Sequence, residues 1–226
     1  MTAALPSSAA RWVAAGVRHA VLLRILPALR HDLASPISVL RMSSLLLQRQ
    51  LAAPTIDAAG CLERVVMLEQ QIGSLADGLR SLRGWDLASS SKAIDRQVLV
   101  ADSLPLLRAL FDLRGVTVDV DAASADNAGA MWPDATALRY LLLASLCHLG
   151  DSHPLLVAVR IEYVGDDGLR LVATDRSEAV PPPLFDPAPP EPGLTIDAAA
   201  LQCLAADLGY EVRFEADGVF LPLAAL

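Results

Sequence analysis

Two runs of apolar residues at heptad spacing, separated by a proline, constrain the fold of this chain most. The first run begins at about Val21 and comprises Leu22, Leu26, Leu29, Leu33, Ile37, Leu40, Leu47 and Leu51, with Ser44 filling one gap. The second reaches about Gly84 and comprises Val65, Leu68, Ile72, Leu75, Leu79 and Leu82. Steps of three and four place each set on one stripe of an α-helix. The sequence therefore predicts two long amphipathic helices.

The segment between the two runs predicts a sharp reversal of the chain. Pro54 ends the first helix, and Thr55 or Asp57 could cap the second. Two helices joined in this way form an antiparallel hairpin. A hairpin alone leaves each apolar stripe half covered, and a second copy would cover the rest. We therefore expect a dimeric four-helix bundle.

The residue pattern changes after the serines at 89–91. From there on, short runs typical of β-strands alternate with helical patterns. Strands are expected at 97–100, 116–120, 155–163, 169–173, 211–214 and 219–221, and helices at 102–113, 134–149 and 197–208. The proline-dense stretch 180–192 predicts a surface loop. The fold class is thus α+β: a helical hairpin over 1–88, then an α/β sandwich over 89–226 with helices on one face of a mixed sheet.

Composition and charge exclude several classes of function. The 226 residues are 54% hydrophobic but only 4% aromatic, so aliphatic side chains must build the core and a subunit interface. A net charge of -8 disfavours nucleic acid and anionic membranes as partners. The three cysteines, Cys61, Cys147 and Cys203, have neither disulfide nor metal spacing. No stretch approaches the roughly 18 uninterrupted apolar residues of a membrane span, so we expect a cytoplasmic protein.

The segment His31-Asp32-Leu33-Ala34-Ser35-Pro36-Ile37 stands out within the first helix. At 100° per residue, His31 lies about 200° from Leu33 and about 180° from Leu40, so it projects away from the packed stripe. Pro36 removes a helical hydrogen bond and is expected to bend the helix just beyond the histidine. Pro27 is expected to loosen the turn before it. A lone exposed histidine, however, is most often only a solvated residue.

The chain thus contains a His-acid-x-x-x-Pro segment in a long helix, a helical hairpin and then a helix-on-sheet domain. This order resembles the dimerisation and catalytic halves of two-component sensor histidine kinases. The resemblance implies that His31 is the phosphoacceptor, that Asp32 is its acidic neighbour and that Pro36 is the kink. Ala34 replaces a basic residue often found there. Asp32 would act as an orienting group or base, although a solvated carboxylate explains it almost equally well.

Three neighbours of His31 are candidate contacts for the phosphate or the partner. Ser35 occupies the position where kinases that also dephosphorylate their partner often carry Thr or Asn, although a small polar residue before a proline needs no such role. Arg30 and Arg41 could meet a phosphate or an acidic receiver surface. Ordinary solvated helix charges are the equal alternative.

The second domain resembles the kinase nucleotide site with its key residues lost. Residues 138–148 are similar in pattern to the asparagine helix that ligates magnesium, yet Ala144 and His148 stand where amides are expected. Asp175 matches the adenine-reading aspartate, whereas Ser177 and Ala179 replace both glycines of that turn. Only Gly193 of the last glycine turn survives. The resemblance therefore implies no bound cofactor, with magnesium supplied by a partner receiver domain.

This combination is similar to the ChpT-type and sporulation-type histidine phosphotransferases of bacterial phosphorelays. It implies that His31 moves a phosphoryl group between receiver-domain aspartates without ATP, with response-regulator receivers, a hybrid histidine kinase and a second copy as partners. One alternative is a pseudokinase-like module that docks a partner without phosphotransfer; another is an active kinase. His148 is interpreted as a core or interface histidine, and His153 as a loop residue with no acid or nucleophile arranged around it.

Overall fold

The computed structural model describes residues 7–83, 85, 92–121, 131–165, 168–175 and 194–222. The chain divides into two compact units, one made of residues 1–25 with 90–226 and the other of residues 26–89. This division differs from the predicted one, because the first 25 residues group with the α/β part. The predicted linker at 89–91 and loop at 180–192 lie outside the described residues.

Residues 26–89 contain the predicted antiparallel hairpin. Its first helix belongs to α1 (Ser7–Leu51), and its second is α2 (Ala58–Arg83). Asp57 begins α2, since its carboxylate accepts a hydrogen bond from the Gly60 backbone N–H at 3.1 Å. At the other end of the hairpin, a Cβ on Gly78 would lie 3.0 Å from Leu33. Leu33 and Gly78 therefore lie in contact where the two helices meet near this end.

Helix α1 begins at Ser7, well before the predicted start at Val21. Its first part packs onto the α/β unit through a buried stripe of small and β-branched residues: Ala14, Val17, Ala20, Val21 and Ile25. Arg18 pairs with Asp207 at 2.5 Å and Arg24 with Asp151 at 2.7 Å. This buried stripe is not part of the predicted apolar run, which begins only at about Val21.

A five-stranded mixed sheet forms the base of the α/β unit. Its strands are β2 (Thr117–Val120), β4 (Leu156–Val164), β5 (Gly168–Asp175), β6 (Arg213–Glu215) and β7 (Gly218–Pro222), in the order β2-β4-β5-β7-β6. The β2–β4 pair is parallel and the others are antiparallel. A separate antiparallel pair, β1 (Ile94–Asp95) with β3 (Met131–Trp132), was not predicted.

Three helices accompany the sheet: α3 (Arg96–Leu113), α4 (Ala135–Ser152) and α5 (Ala198–Leu208). Each begins after an aspartate whose carboxylate accepts a backbone N–H, namely Asp95, Asp134 and Asp197. The strand predicted at 97–100 is wrong, because these residues form the first turns of α3. The Asp95 cap and the burial of Leu99 and Val100 outweigh the β-propensity of a short valine-rich run.

Helix α4 is the centre of the core. Every residue from 140 to 149 is buried, and α4 contacts α3, α5 and β5. In β4 and β5 the most buried side chains, such as Val159, Ile161 and Leu171, recur at every second position, as expected when one face of a sheet is covered. The predicted α+β class, a helical hairpin and a mixed sheet with helices on one face, is confirmed.

The membrane expectation requires a correction. One helix, α1, is long and apolar enough by length and composition to cross a membrane, although charged residues interrupt its apolar runs. Only 28% of the relevant window is buried within the chain. Within α1, the stripe from Ala14 to Ile25 is buried and packs on the α/β unit. Core helices of soluble proteins have this composition too, so it does not establish a span.

Candidate functional site around His31

His31 lies on the solvent side of α1, as its spacing predicts. Its side chain is 81% exposed, and the seam to α2 is formed instead by half-buried or buried residues such as Leu33, Pro36 and Leu40. Pro36 is among the buried ones, so the proline faces α2 while the histidine faces away. The structure therefore presents the imidazole to any approaching molecule.

Asp32 approaches the histidine although consecutive helical residues do not share a face. Its Oδ1 lies 3.5 Å from His31 Nδ1, at the outer limit of a hydrogen bond, and its side chain is 67% exposed. The carboxylate reaches the ring because a short, exposed side chain can turn toward its neighbour. This contact leaves Nε2 as the outward nitrogen of the ring.

Helix α1 continues through both prolines. Pro36 lacks the N–H that the Asp32 carbonyl would otherwise accept, so the backbone just after His31 loses one helical hydrogen bond. Two residues further on, Ser38 Oγ donates to the Ala34 carbonyl at 3.0 Å. The bend expected at Pro36 stays a prediction.

The three other predicted contacts are exposed but lie at different distances from His31. Ser35 is four residues on and shares its face, whereas Arg30 is adjacent and turned by about 100°. Arg41 lies ten residues on, about 15 Å along the axis at 1.5 Å per residue. Arg41 is therefore too far along the helix to meet a phosphate on His31, but it can meet a docked partner.

On α2, the residues level with His31 are Leu79 and Arg80. This level follows from two cross-helix contacts, Leu33 with Gly78 and Ser43 Oγ with Met67 Sδ at 3.3 Å. The Arg80 guanidinium is held by Asp77 at 2.6 Å. Among the cations of the hairpin, Arg30 is the one closest to His31 in the sequence.

The resemblance to the kinase asparagine helix falls on the most buried part of α4. Ala144 is fully buried. His148 is also buried: its Nδ1 lies 2.7 Å from the Ile196 carbonyl oxygen and 3.1 Å from Ser152 Oγ, and its ring meets Phe214 edge-on. The interpretation of His148 as a core histidine is confirmed. Neither position offers an amide to a cation.

The expectation that no acid lies beside His153 is wrong. Its Nδ1 lies 3.0 Å from Asp175 Oδ2. The two residues are 22 apart in the chain and meet because the end of α4 and the end of β5 lie together. Asp175, the residue carried over as the adenine reader, thus has a protein partner. Ser177, Ala179 and Gly193 lie outside the described residues.

Sequence reasoning also missed the contacts of Arg24. Besides Asp151, this arginine donates to the Leu194 carbonyl at 3.1 Å, and Asp151 in turn accepts from the Ile196 N–H at 2.8 Å. Burial raises the pKa of the neighbouring Cys147 thiol, which therefore stays protonated and unreactive. Among the residues that the structure describes, no three His, Cys, Asp or Glu side chains are grouped to hold a metal ion.

Comparison with known proteins returns structural likeness only. No protein-family model matches the chain, and no curated protein matches its sequence. Among the solved structures with a similar fold are two that align over 86% of this chain. One is the Acinetobacter baumannii histidine kinase AdeS, at 16% identity, a TM-score of 0.36 and 98% coverage of its own chain. The other is a histidine kinase from Burkholderia phymatum STM815, at 15% identity, a TM-score of 0.38 and 96% coverage.

Proposed function

We propose that this chain is a histidine phosphotransferase of a bacterial two-component phosphorelay, which moves a phosphoryl group between receiver-domain aspartates through His31. The observation that carries the proposal is the exposed imidazole of His31 on the side of α1 away from α2, with the Asp32 carboxylate at Nδ1. An accessible histidine on a helix can enter the concave end of a partner domain. The proposal needs no ATP.

In the forward step, neutral His31 attacks the phosphorus of an aspartyl phosphate through Nε2. The N–P bond forms as the bond between phosphorus and the aspartyl oxygen breaks, and the receiver carboxylate leaves with the bonding electron pair. The ring then carries a positive charge, which the Asp32 carboxylate stabilises through Nδ1–H. The reverse step, on a second receiver, restores neutral His31. Magnesium is assigned to the receiver domain, where it would neutralise the phosphoryl oxygens.

The surroundings of Asp175 support transfer rather than nucleotide-driven phosphorylation. Its carboxylate is engaged by His153 at 3.0 Å, and the fully buried Ala144 stands where a magnesium-ligating amide would be needed. A kinase would require both groups to face a nucleotide. We therefore expect titration with magnesium-ATP, followed by calorimetry, to give no heat of binding.

In our proposal, this chain is a homodimer when it meets its phosphotransfer partner. The seam is the stripe on each helix that faces the other helix. Around each helix axis, six apolar or small residues lie about 40–100° from this seam, in the same direction of rotation on both helices. They are Ile37, Ser44 and Leu51 on α1, and Val65, Ile72 and Leu79 on α2. In an antiparallel pair, positions turned in the same sense fall on the same face. All but Ser44 are exposed, and Ile72 is 57% exposed. A second hairpin on this face would complete a four-helix bundle in the cytoplasm.

The proposal is tested by mixing the protein with a receiver domain carrying labelled phosphate. We expect the label to appear on the wild-type chain and to be acid-labile, as a phosphoramidate is. His31→Ala should accept none, whereas His153→Ala, which removes a histidine without a role in transfer, should accept as much as wild type. Asp32→Asn should slow acceptance on the order of tenfold or more, the scale of a positioned acid–base group.

Two results would contradict the assignment. Labelling of the His31→Ala variant would place the phosphoacceptor elsewhere. Tight receiver binding by both wild type and His31→Ala, without label on either, would instead favour the module that docks a partner without phosphotransfer.

A further inference from the structure

Arg41 on α1 and Glu69 on α2 are two exposed charges of the hairpin. Among the residues that the structure describes, neither side chain takes part in a salt bridge or a side-chain hydrogen bond. No residue three or four positions from either one carries the opposite charge, so neither can pair within its own helix. Arg80, by contrast, is held by Asp77 at 2.6 Å. Arg41 and Glu69 are therefore available to another molecule.

The two residues lie at the same level of the hairpin. Ser43 Oγ contacts Met67 Sδ at 3.3 Å, which fixes the relative level of the two antiparallel helices at this point. Arg41 comes two residues before Ser43, and Glu69 comes two residues after Met67. Because the helices run in opposite directions with the same rise per residue, these steps bring Arg41 and Glu69 level with each other.

Within one chain, however, the two side chains point away from each other. Arg41 follows Ile37 by four residues, so it lies about 40° further round α1. Glu69 follows Val65 by four residues, so it lies about 40° further round α2 in the same direction. Ile37 and Val65 belong to the proposed dimer face. The two charges thus border this face, on the side away from the seam.

From this placement we infer that Arg41 of each copy forms an ion pair with the partner's Glu69, and that these pairs select a second copy of the chain as partner. The inference rests on the dimeric bundle proposed above. In such a bundle each α1 packs against the partner's α2 at the same level, so the borders of the two dimer faces meet. Charges beside the apolar contacts of a helical bundle set which helices associate and in which register.

Two other exposed charges of the hairpin lie away from this border. Arg49 comes eighteen residues after His31, so it lies in line with the histidine on the side of α1 away from the seam. Glu63 comes six residues before Glu69, which turns it by about 120° round α2. Neither residue faces a second hairpin on the dimer face.

One pair of like charges falls on the same border. Arg30 is level with the partner's Arg80 in this arrangement, because these residues lie eleven positions from Arg41 and Glu69 respectively. The Asp77 carboxylate binds the Arg80 guanidinium at 2.6 Å and neutralises it, so little repulsion remains. The attraction between Arg41 and the partner's Glu69 is therefore the main electrostatic contribution along this border.

A receiver domain is the competing partner for Arg41. This arginine lies about 15 Å along α1 from His31 and about 80° round it, so it is off the line along which the imidazole is reached. A receiver would also have to supply a carboxylate for Arg41 and a cation for Glu69. The second copy supplies both groups from the same two residues, which favours it as the partner.

The experiment reverses one charge in each of two preparations of the full chain. Arg41→Glu and Glu69→Arg each place like charges opposite one another twice in their own dimer, so each alone should weaken dimerisation about tenfold. In an equimolar mixture, a dimer of one copy of each variant regains both ion pairs. We expect about nine-tenths of the dimers to be mixed, against about one-half for random pairing. Native mass spectrometry of isotopically labelled copies counts the species.

Arg49→Glu and Glu63→Arg are the matched controls, because they make the same changes of charge away from the dimer face. Their mixture should pair at random, and neither variant alone should weaken dimerisation. Added salt should move the first mixture toward random pairing, since exposed ion pairs are screened. Circular dichroism verifies that each variant is folded, which the exposure of all four side chains favours.

Each contrary result has a separate meaning. Random pairing in the mixture of Arg41→Glu with Glu69→Arg, alongside a wild-type dimer, would overturn the inference and leave the hairpin dimer intact. A wild-type monomer at every concentration would overturn both. Slower labelling of Arg41→Glu by a phosphorylated receiver, with unchanged dimerisation, would assign Arg41 to the receiver and overturn the inference as well.

Discussion

The α/β unit and the helical hairpin are both rich in leucine but use it in opposite ways. In the α/β unit, α4 is buried on all sides, and the sheet, α3, α5 and the first part of α1 share one core. In the described part of the hairpin, from residue 26 onward, only Pro36 and Ser43 are buried, while Ile37, Ile72 and Leu79 remain exposed. A chain segment with a core of its own can fold alone; a pair of helices with one thin seam depends on a partner.

The largest expected effect tests the core of the α/β unit. Leu142 is fully buried in α4, so Leu142→Ala should lower the free energy of unfolding by about 3 kcal/mol, through lost burial and the cavity left behind. Leu45→Ala is the matched control, because Leu45 is exposed on α1 and the change should stay within about 0.5 kcal/mol. Urea denaturation measures both. Equal losses would show that the hairpin is as well packed as the α/β unit.

The next effect tests the dependence of the hairpin on a second copy. Ile72→Asp would place a charge in the proposed dimer face and should weaken dimerisation on the order of a hundredfold. Val66→Asp, an exposed position on the other side of α2, should leave dimerisation unchanged. Light scattering over a dilution series gives both constants. A dimer insensitive to Ile72→Asp would mean that the hairpin contributes no interface.

A smaller effect compares ion pairs in the two units. Arg24→Gln leaves the nearly buried Asp151 without its cation and should cost about 1–3 kcal/mol in the free energy of unfolding. Arg80→Gln removes a largely exposed pair with Asp77 and should cost less than about 0.5 kcal/mol. Thermal denaturation at low and high salt distinguishes them, since salt should reduce only the second contribution appreciably.

The smallest effect compares two helix caps. Asp134→Ala removes the acceptor for the Ala137 N–H and should cost about 1 kcal/mol. Asp134→Asn should retain most of the stability, because Asn also accepts this bond and tolerates the left-handed backbone at φ 63°. In the hairpin, Asp57→Ala should lower the free energy of unfolding by a similar amount, but only when the dimer is formed. Hydrogen exchange at Ala137 and Gly60 reads each cap separately.

Much of the fold followed from local chemistry. The turn at Pro54, the cap at Asp57 and the alternating strands predicted at 155–163 and 169–173 each depend on a few neighbouring residues, and the structure contains all of them. The strand expected at 97–100 failed because burial of Leu99 and Val100 in a helix depends on distant parts of the chain. The early start of α1 was missed because its buried stripe is made of alanines and valines, which signal a helix face weakly.

The candidate site divides in the same way. The exposure of His31 could be read from its angle to Leu33 and Leu40, because helical periodicity fixes which side a residue faces. The pairing of His153 with Asp175, and of Arg24 with Asp151, could not, since each joins residues far apart in sequence. The sequence by itself determined the helices, their apolar stripes and the accessible histidine. Only the tertiary structure decided which stripe packs on which neighbour, because contacts between distant segments depend on how the whole chain closes around its core.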